Sequence, residues 1–75
     1  RNGPALTARP ELTDRERAVL HLVAAGLANK QIATRLGIRE GTVKAHLGHA
    51  FQRIGVSDRT SAALWARTHL PTEPT

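Results

Sequence analysis

A single glycine, Gly37, separates two short amphipathic segments in the middle of the chain, and the residues around it restrict how these segments can pack. A small residue, Ala33, stands four positions before the glycine, where two crossing helices would approach each other closely. Glycine supplies the positive φ that a sharp turn needs. Apolar residues that can face a core flank the turn, namely Ile32, Leu36, Ile38 and Val43. The pattern predicts a helix-turn-helix, and the alternative is a generic helical hairpin whose glycine merely joins two amphipathic helices.

Start and stop signals predict four helices and no strands, so the expected fold class is all-α. Thr13 and Glu16 have the spacing of a capping box, and Gly26 follows the apolar residues of that segment. We therefore predict the first helix over residues 14–25. The other three are predicted over 29–36, 40–54 and 59–69. Together they form one domain over residues 12–70, after a linker or disordered N-terminus over 1–11 and before a flexible tail over 71–75.

The helix caps differ in quality. Ala28 stands where a capping side chain would serve the second helix, so we expect Asn29 to cap it instead. Ser57 or Asp58 is expected to cap the fourth helix. The caps thus predict a firm start for the first and fourth helices and a weaker start for the second.

Composition favours binding to a polyanionic partner over catalysis or metal binding. The 75 residues include 11 Lys and Arg and 6 Asp and Glu, which gives a net charge of +5. The lack of cysteine excludes thiolate metal sites and suits a reducing cytoplasm, the predicted location. No apolar run approaches the ~20 residues of a membrane span. His46 and His49 lack a third ligand, and no nucleophile is paired with a base, so we predict no metal, no cofactor and no enzymatic activity.

The outward face of the third helix is predicted to contact DNA bases. Its inward stripe would consist of Val43, Leu47, Ala50, Phe51 and Ile54. On the opposite side, Lys44 could donate to guanine O6 and N7, and Ala45 could pack against a thymine methyl group. Gly48 offers no side chain and would allow close approach. The alternative is a solvated charged face without a ligand.

Other polar residues are predicted to hold the DNA backbone. Asn29 and Lys30 begin the second helix, where free amides and the helix dipole suit a phosphate. Thr42, His49 and Arg53 would flank the groove. His46 falls where the third helix expects a core residue, and phosphate contact is its second interpretation.

The fourth helix carries the only tryptophan, Trp65, and two interpretations stand side by side. Trp65 could cover the edge of the first helix. Alternatively it lies beside a dimerisation seam formed by Ala63, Ala66, Arg67 and Leu70, whose small residues would let two copies of the helix approach closely.

Several segments resemble the LuxR-type DNA-binding domain found at the C-terminus of bacterial response regulators. They are Leu12-Thr13-Asp14-Arg15-Glu16, Asn29-Lys30-Gln31-Ile32-Ala33, Thr42-Val43-Lys44-Ala45-His46-Leu47 and Ile54-Gly55-Val56 with Arg59. The resemblance implies four helices, promoter binding through the third and dimerisation often through the fourth. Ala28 and Arg39 depart from the family's usual hydroxyl residues, and Gly48 from its usual polar or charged groove residue.

The sequence therefore predicts the output domain of a bacterial transcription regulator. It would bind double-stranded DNA as a homodimer, under the control of an N-terminal regulatory domain missing from this chain, with RNA polymerase as a further candidate partner. One alternative is a module like region 4 of sigma factors, which shares the helix-turn-helix features. The other is a protein-interaction module whose basic face is incidental.

Overall fold

Four α-helices make up the secondary structure of residues 11–70, the part of the chain that the computed structural model describes. They are α1 (Asp14–Ala24), α2 (Asn29–Leu36), α3 (Glu40–Ile54) and α4 (Arg59–His69). The predicted all-α class is confirmed. The predicted bounds of α2, α3 and α4 are confirmed as well, and α1 ends one residue earlier than expected because Ala25 is its C-cap.

The helix starts reflect the quality of their capping residues. At α1 the capping box is complete: Thr13 Oγ1 accepts from the Glu16 amide at 3.0 Å, and Glu16 Oε1 accepts from the Thr13 amide at 3.0 Å. At α4 the N-cap is Asp58, whose carboxylate accepts from the Ser61 amide at 2.8 Å.

The prediction that Asn29 caps α2 was wrong. The N-cap is Ala28, which has no side-chain acceptor, and the only side-chain bond at this cap runs from the Ala28 amide to Gln31 Oε1 at 2.8 Å. The Asn29 side chain is instead bonded to α4. Arg39, the N-cap of α3, also makes no capping bond through its side chain.

Gly37 forms the turn between α2 and α3 as the sequence predicts. Its φ of 69° lies in the left-handed region, which a residue with a Cβ rarely adopts. The Ile38 amide then bonds back to the Ala33 carbonyl at 3.0 Å, which ends α2 and turns Ile38 toward the core.

The core consists of two clusters that meet at α1. The first cluster lies behind the helix-turn-helix and contains Val19, Val23, Ile32, Ala33, Val43 and Leu47. The second joins α1, α3 and α4 through Leu20, Ala50, Ala62 and Ala66. Val19 and Leu20 are neighbours in sequence and fully buried, yet each belongs to a different cluster. The α1 and α3 helices thus contribute to both clusters, whereas α2 belongs to the first and α4 to the second.

The predicted linker and tail, residues 1–11 and 71–75, lie outside the described residues except for Glu11. The Glu11 carbonyl accepts a hydrogen bond of 3.4 Å from Arg53 Nη1. None of the helices in the described part of the chain is long and apolar enough to cross a membrane.

Candidate nucleic-acid interface

The side of α3 that faces away from the core is an exposed, nearly bare surface. Lys44, Ala45 and Gly48 are all exposed, whereas Val43, Leu47 and Ala50 are buried on the opposite side. Gly41, His49 and Gln52 complete this outward face. A Cβ placed on Gly48 would meet nothing within 4 Å, so open space surrounds this position. Within residues 11–70, Lys44 has no hydrogen bond or ion pair that would hold its ammonium away from a ligand.

One edge of the outward face carries a line of polar residues. Thr42, His46, His49 and Arg53 recur at i, i+4, i+7 and i+11 and therefore lie on one side of the helix. Thr42 and His49 are exposed, and His46 is half-buried between this edge and the core. The described residues contain no group of three side chains placed to hold a metal ion.

Arg53 forms an ion pair within the chain, which the sequence did not predict. Its Nε lies 3.1 Å from Glu16 Oε1 and 3.3 Å from Oε2. Glu16 is the one buried charged residue of the described chain, with its side chain 4% exposed, while the Arg53 side chain is 47% exposed. Burial of the Glu16 carboxyl raises its pKa. The Thr13 amide and the Arg53 guanidinium together lower the pKa by more than burial raises it, so the pKa lies below its ordinary value.

The start of α2 is connected to α4 by a second arginine. Arg59 Nη1 donates to Asn29 Oδ1 and Nη2 donates to the Leu27 carbonyl, both at 2.7 Å. Asn29 is half-buried as a result and keeps only its amide nitrogen as a donor for a ligand. Lys30, the next residue, is exposed. Arg59 thereby fixes the loop that positions the first turn of α2.

Ala66, one residue of the predicted dimerisation seam, is buried in the structure. Ala66 is 3% exposed because it packs in the second cluster, so it has almost no surface to offer a second copy. Trp65 and Leu70 pack on the edge of the same cluster and remain partly exposed, which agrees with a covering role for Trp65.

The rest of the seam is accessible, although part of it has partners within the chain. Ala63 is half-buried, and Arg67 is exposed while donating to the Ala24 carbonyl at 3.1 Å. The Trp65 ring also stacks on His69, with centroids 4.6 Å apart. Leu64, which was not assigned to the seam, is 63% exposed.

A profile of the family described as "Bacterial regulatory proteins, luxR family" matches residues 10–66, more than half of the chain. The match includes α1, α2, α3 and most of α4, so it covers both core clusters and the whole outward face of α3.

Several bacterial regulators are similar over the same region. The nitrate/nitrite response regulator protein NarL of Escherichia coli K12 is 49% identical over 55 residues, which cover 73% of this chain and 26% of NarL. The CsgBAC operon transcriptional regulatory protein of the same strain is 44% identical over 59 residues, 79% of this chain and 27% of that protein. The transcriptional regulatory protein LnrK of Bacillus subtilis 168 is 46% identical over 56 residues, 75% of this chain and 26% of LnrK. The chain spans about a quarter of the length of these relatives.

Proposed function

The chain belongs to the luxR family of bacterial regulatory proteins, which are DNA-binding transcription regulators, and we propose that it reads promoter DNA through α3 as the output domain of a longer regulator. The relatives are about four times as long as the matched region, and NarL is a response regulator by name. An N-terminal regulatory domain is therefore part of the proposal, and so is a location in the cytoplasm, where bacterial promoters lie. RNA polymerase stays a predicted partner.

The observation that carries the proposal is the exposed, acid-free face of α3. Its six residues include one lysine and no carboxylate, and three of them are glycine or alanine. A helix about 10–12 Å across fits the ~12 Å major groove only when its outward side chains are small or complementary to the bases. In this position Lys44 donates to a guanine, Ala45 packs on a thymine methyl group, and Gly48 brings the helix axis close to the groove floor.

The DNA backbone would be held on both sides of the groove. Lys30 and the amide nitrogen of Asn29 lie at the start of α2, where the helix dipole adds a partial positive charge. Thr42 and His49 line the edge of α3. Such contacts set the register of the protein on DNA and carry no sequence information.

We also propose that two copies bind together through α4. The exposed parts of Ala63, Trp65, Arg67 and Leu70 form the seam, without Ala66. A dimer of such domains reads two half-sites, which compensates for the few base contacts that one bare α3 face can make.

Selection of bound duplexes from a random pool tests this function, followed by titration of the preferred and a scrambled duplex. Lys44→Ala should lower affinity for the preferred duplex by about 1–3 kcal/mol and relax preference at one base pair. Lys30→Ala is the matched control, since loss of a phosphate contact should weaken binding equally on both duplexes and reduce the salt slope by about 1. Recovery of no common sequence, or equal losses for both variants on both duplexes, would contradict the proposed role of α3.

A further inference from the structure

The pair formed by Glu16 and Arg53 lies at the edge of the proposed DNA-binding face. Arg53 shares its side of α3 with Thr42 and His49, which are the two proposed phosphate contacts of that edge. From Thr42 to Arg53 the line extends about 16 Å along the helix axis, at 1.5 Å per residue. Arg53 is therefore the last residue of an edge that follows one DNA strand in the proposed complex.

The guanidinium of Arg53 is only partly used by the protein. Of its five N–H donors, the one on Nε is directed to Glu16, and one on Nη1 makes a long bond of 3.4 Å to the Glu11 carbonyl. Within residues 11–70, Nη2 has no partner. The inner edge of the group is thus held while the outer edge, on a side chain 47% exposed, is free to donate.

The carboxylate that holds Arg53 is itself fixed. Glu16 Oε1 accepts from the Thr13 amide at 3.0 Å, so its position is set by the first turn of α1. Its side chain is 4% exposed and has little freedom to follow a moving partner. Arginine is a flexible side chain, and a planar group held at one edge has a defined direction for the other.

We propose that Glu16 is a positioning residue for DNA binding, which holds Arg53 by Nε so that Nη2 and the second N–H of Nη1 donate to a backbone phosphate. The inference rests on the proposed function and adds to it a residue on α1, outside the helix-turn-helix. In this arrangement the capping box does two things: it starts α1, and it orders a phosphate ligand on α3.

The direction in which Glu16→Gln changes DNA affinity distinguishes a positioning role from simple charge repulsion. A carboxylate near DNA repels phosphates, so its neutralisation should tighten binding if charge alone mattered. Positioning predicts the opposite, because Glu16→Gln keeps the shape of the side chain and loses the charged acceptor that orders Arg53. We expect affinity to fall about 3- to 10-fold, the loss expected when one charge-assisted hydrogen bond loses its geometry.

The experiment is a fluorescence-anisotropy titration of the 75-residue chain against the selected duplex over a range of salt concentrations. Asp14→Asn is the charge control, because this carboxylate lies two residues from Glu16 and is fully exposed. Thr13→Ala is the stability control, since it removes the Oγ1 cap of α1 but keeps the backbone amide that holds Glu16. Circular dichroism sets a temperature at which every variant is folded.

Positioning predicts a double-mutant result as well. Arg53→Met should lower the salt slope by about 0.9, one phosphate contact, and Glu16→Gln should cause no further loss in that background. Arg53→Lys leaves Glu16 and the charge in place but lacks the second edge of the guanidinium, so its affinity should resemble that of Arg53→Met.

Three results would overturn the inference: equal or tighter binding by Glu16→Gln, an equal loss in the Arg53→Met background, or full affinity in Arg53→Lys. These outcomes leave the proposed function in place when the wild type still binds with a steep salt dependence. Absence of salt-dependent DNA binding by the wild type would overturn both.

Discussion

Gly48→Ala tests the bare face of α3 most directly, because it should stabilise the free protein and weaken its complex with DNA. Gly48 is the ninth of the 15 residues of α3, well inside the helix. Alanine is favoured over glycine in a helix interior by about 0.8–1 kcal/mol. An added Cβ meets no atom within 4 Å, so no packing cost offsets this gain.

The free energy of unfolding of Gly48→Ala should therefore rise by nearly 1 kcal/mol. For a domain of this size such a change raises the Tm by about 4–8 °C. Gly41→Ala is the matched control, since a Cβ added at Gly41 also meets no atom within 4 Å but this residue lies in the first turn of α3. First-turn amides have no intrahelical partner, so we expect a smaller rise there. Thermal unfolding followed by circular dichroism measures both.

Affinity for the selected duplex should move the other way. In the proposed complex Gly48 lies where the helix comes closest to the bases, and a methyl group would hold the helix off the groove floor. Because the same methyl group meets only open space in the free protein, any loss of affinity arises in the complex. A Tm that stays constant or falls would refute the helix-propensity argument, and unchanged or improved affinity would refute close approach at Gly48.

Three further predictions concern the rest of the molecule. The pKa of Glu16 lies below its ordinary value of 4.5, so the ionised Glu16 stabilises the fold fully above pH 4.5, and this stabilisation is lost as the pH falls through the lowered pKa. The Tm difference between wild type and Glu16→Gln should therefore shrink below pH 4.5, and a Tm difference constant with pH would contradict this prediction. Arg59→Ala leaves the half-buried Leu27 carbonyl and Asn29 Oδ1 without their donor, and urea unfolding should show a loss of about 2 kcal/mol; a loss below about 0.5 kcal/mol would mean that water replaces the arginine. Leu70→Glu, checked for folding by circular dichroism, should reduce dimer formation on DNA in sedimentation experiments, and unchanged sedimentation would remove this end of α4 from the seam.

Local signals allowed most of the fold to be predicted. Thr13, Glu16, Gly37 and Gly55 mark helix ends through chemistry that involves residues three to five positions away, which a sequence displays directly. The exposed face of α3 was predictable for a similar reason, since helical periodicity alone separates Lys44 from Val43.

Contacts between distant residues could not be predicted in this way. Glu16 and Arg53 are 37 residues apart, and Arg59 and Asn29 are 30 apart, so no periodic pattern links the members of either pair. An arginine of α3 predicted as a phosphate ligand thus also has an internal ion pair. The predicted seam shows the same limit, because four of its five candidate residues lie in α4 and Leu70 caps that helix, and only packing in the second cluster reveals that Ala66 is buried.

The two core clusters limit how this chain could exchange part of its helix-turn-helix with a related protein. If α2 and α3 alone were transferred to another protein, they would have to pack on that protein's residues at the positions of Val19 and Val23. Ala50 of α3 would also have to pack on that protein's α4. Point changes on the outward face of α3 disturb neither cluster, because those side chains contact solvent. In the proposed complex, a new operator would therefore be reached most easily by substitution at exposed positions of α3, which leaves both clusters intact.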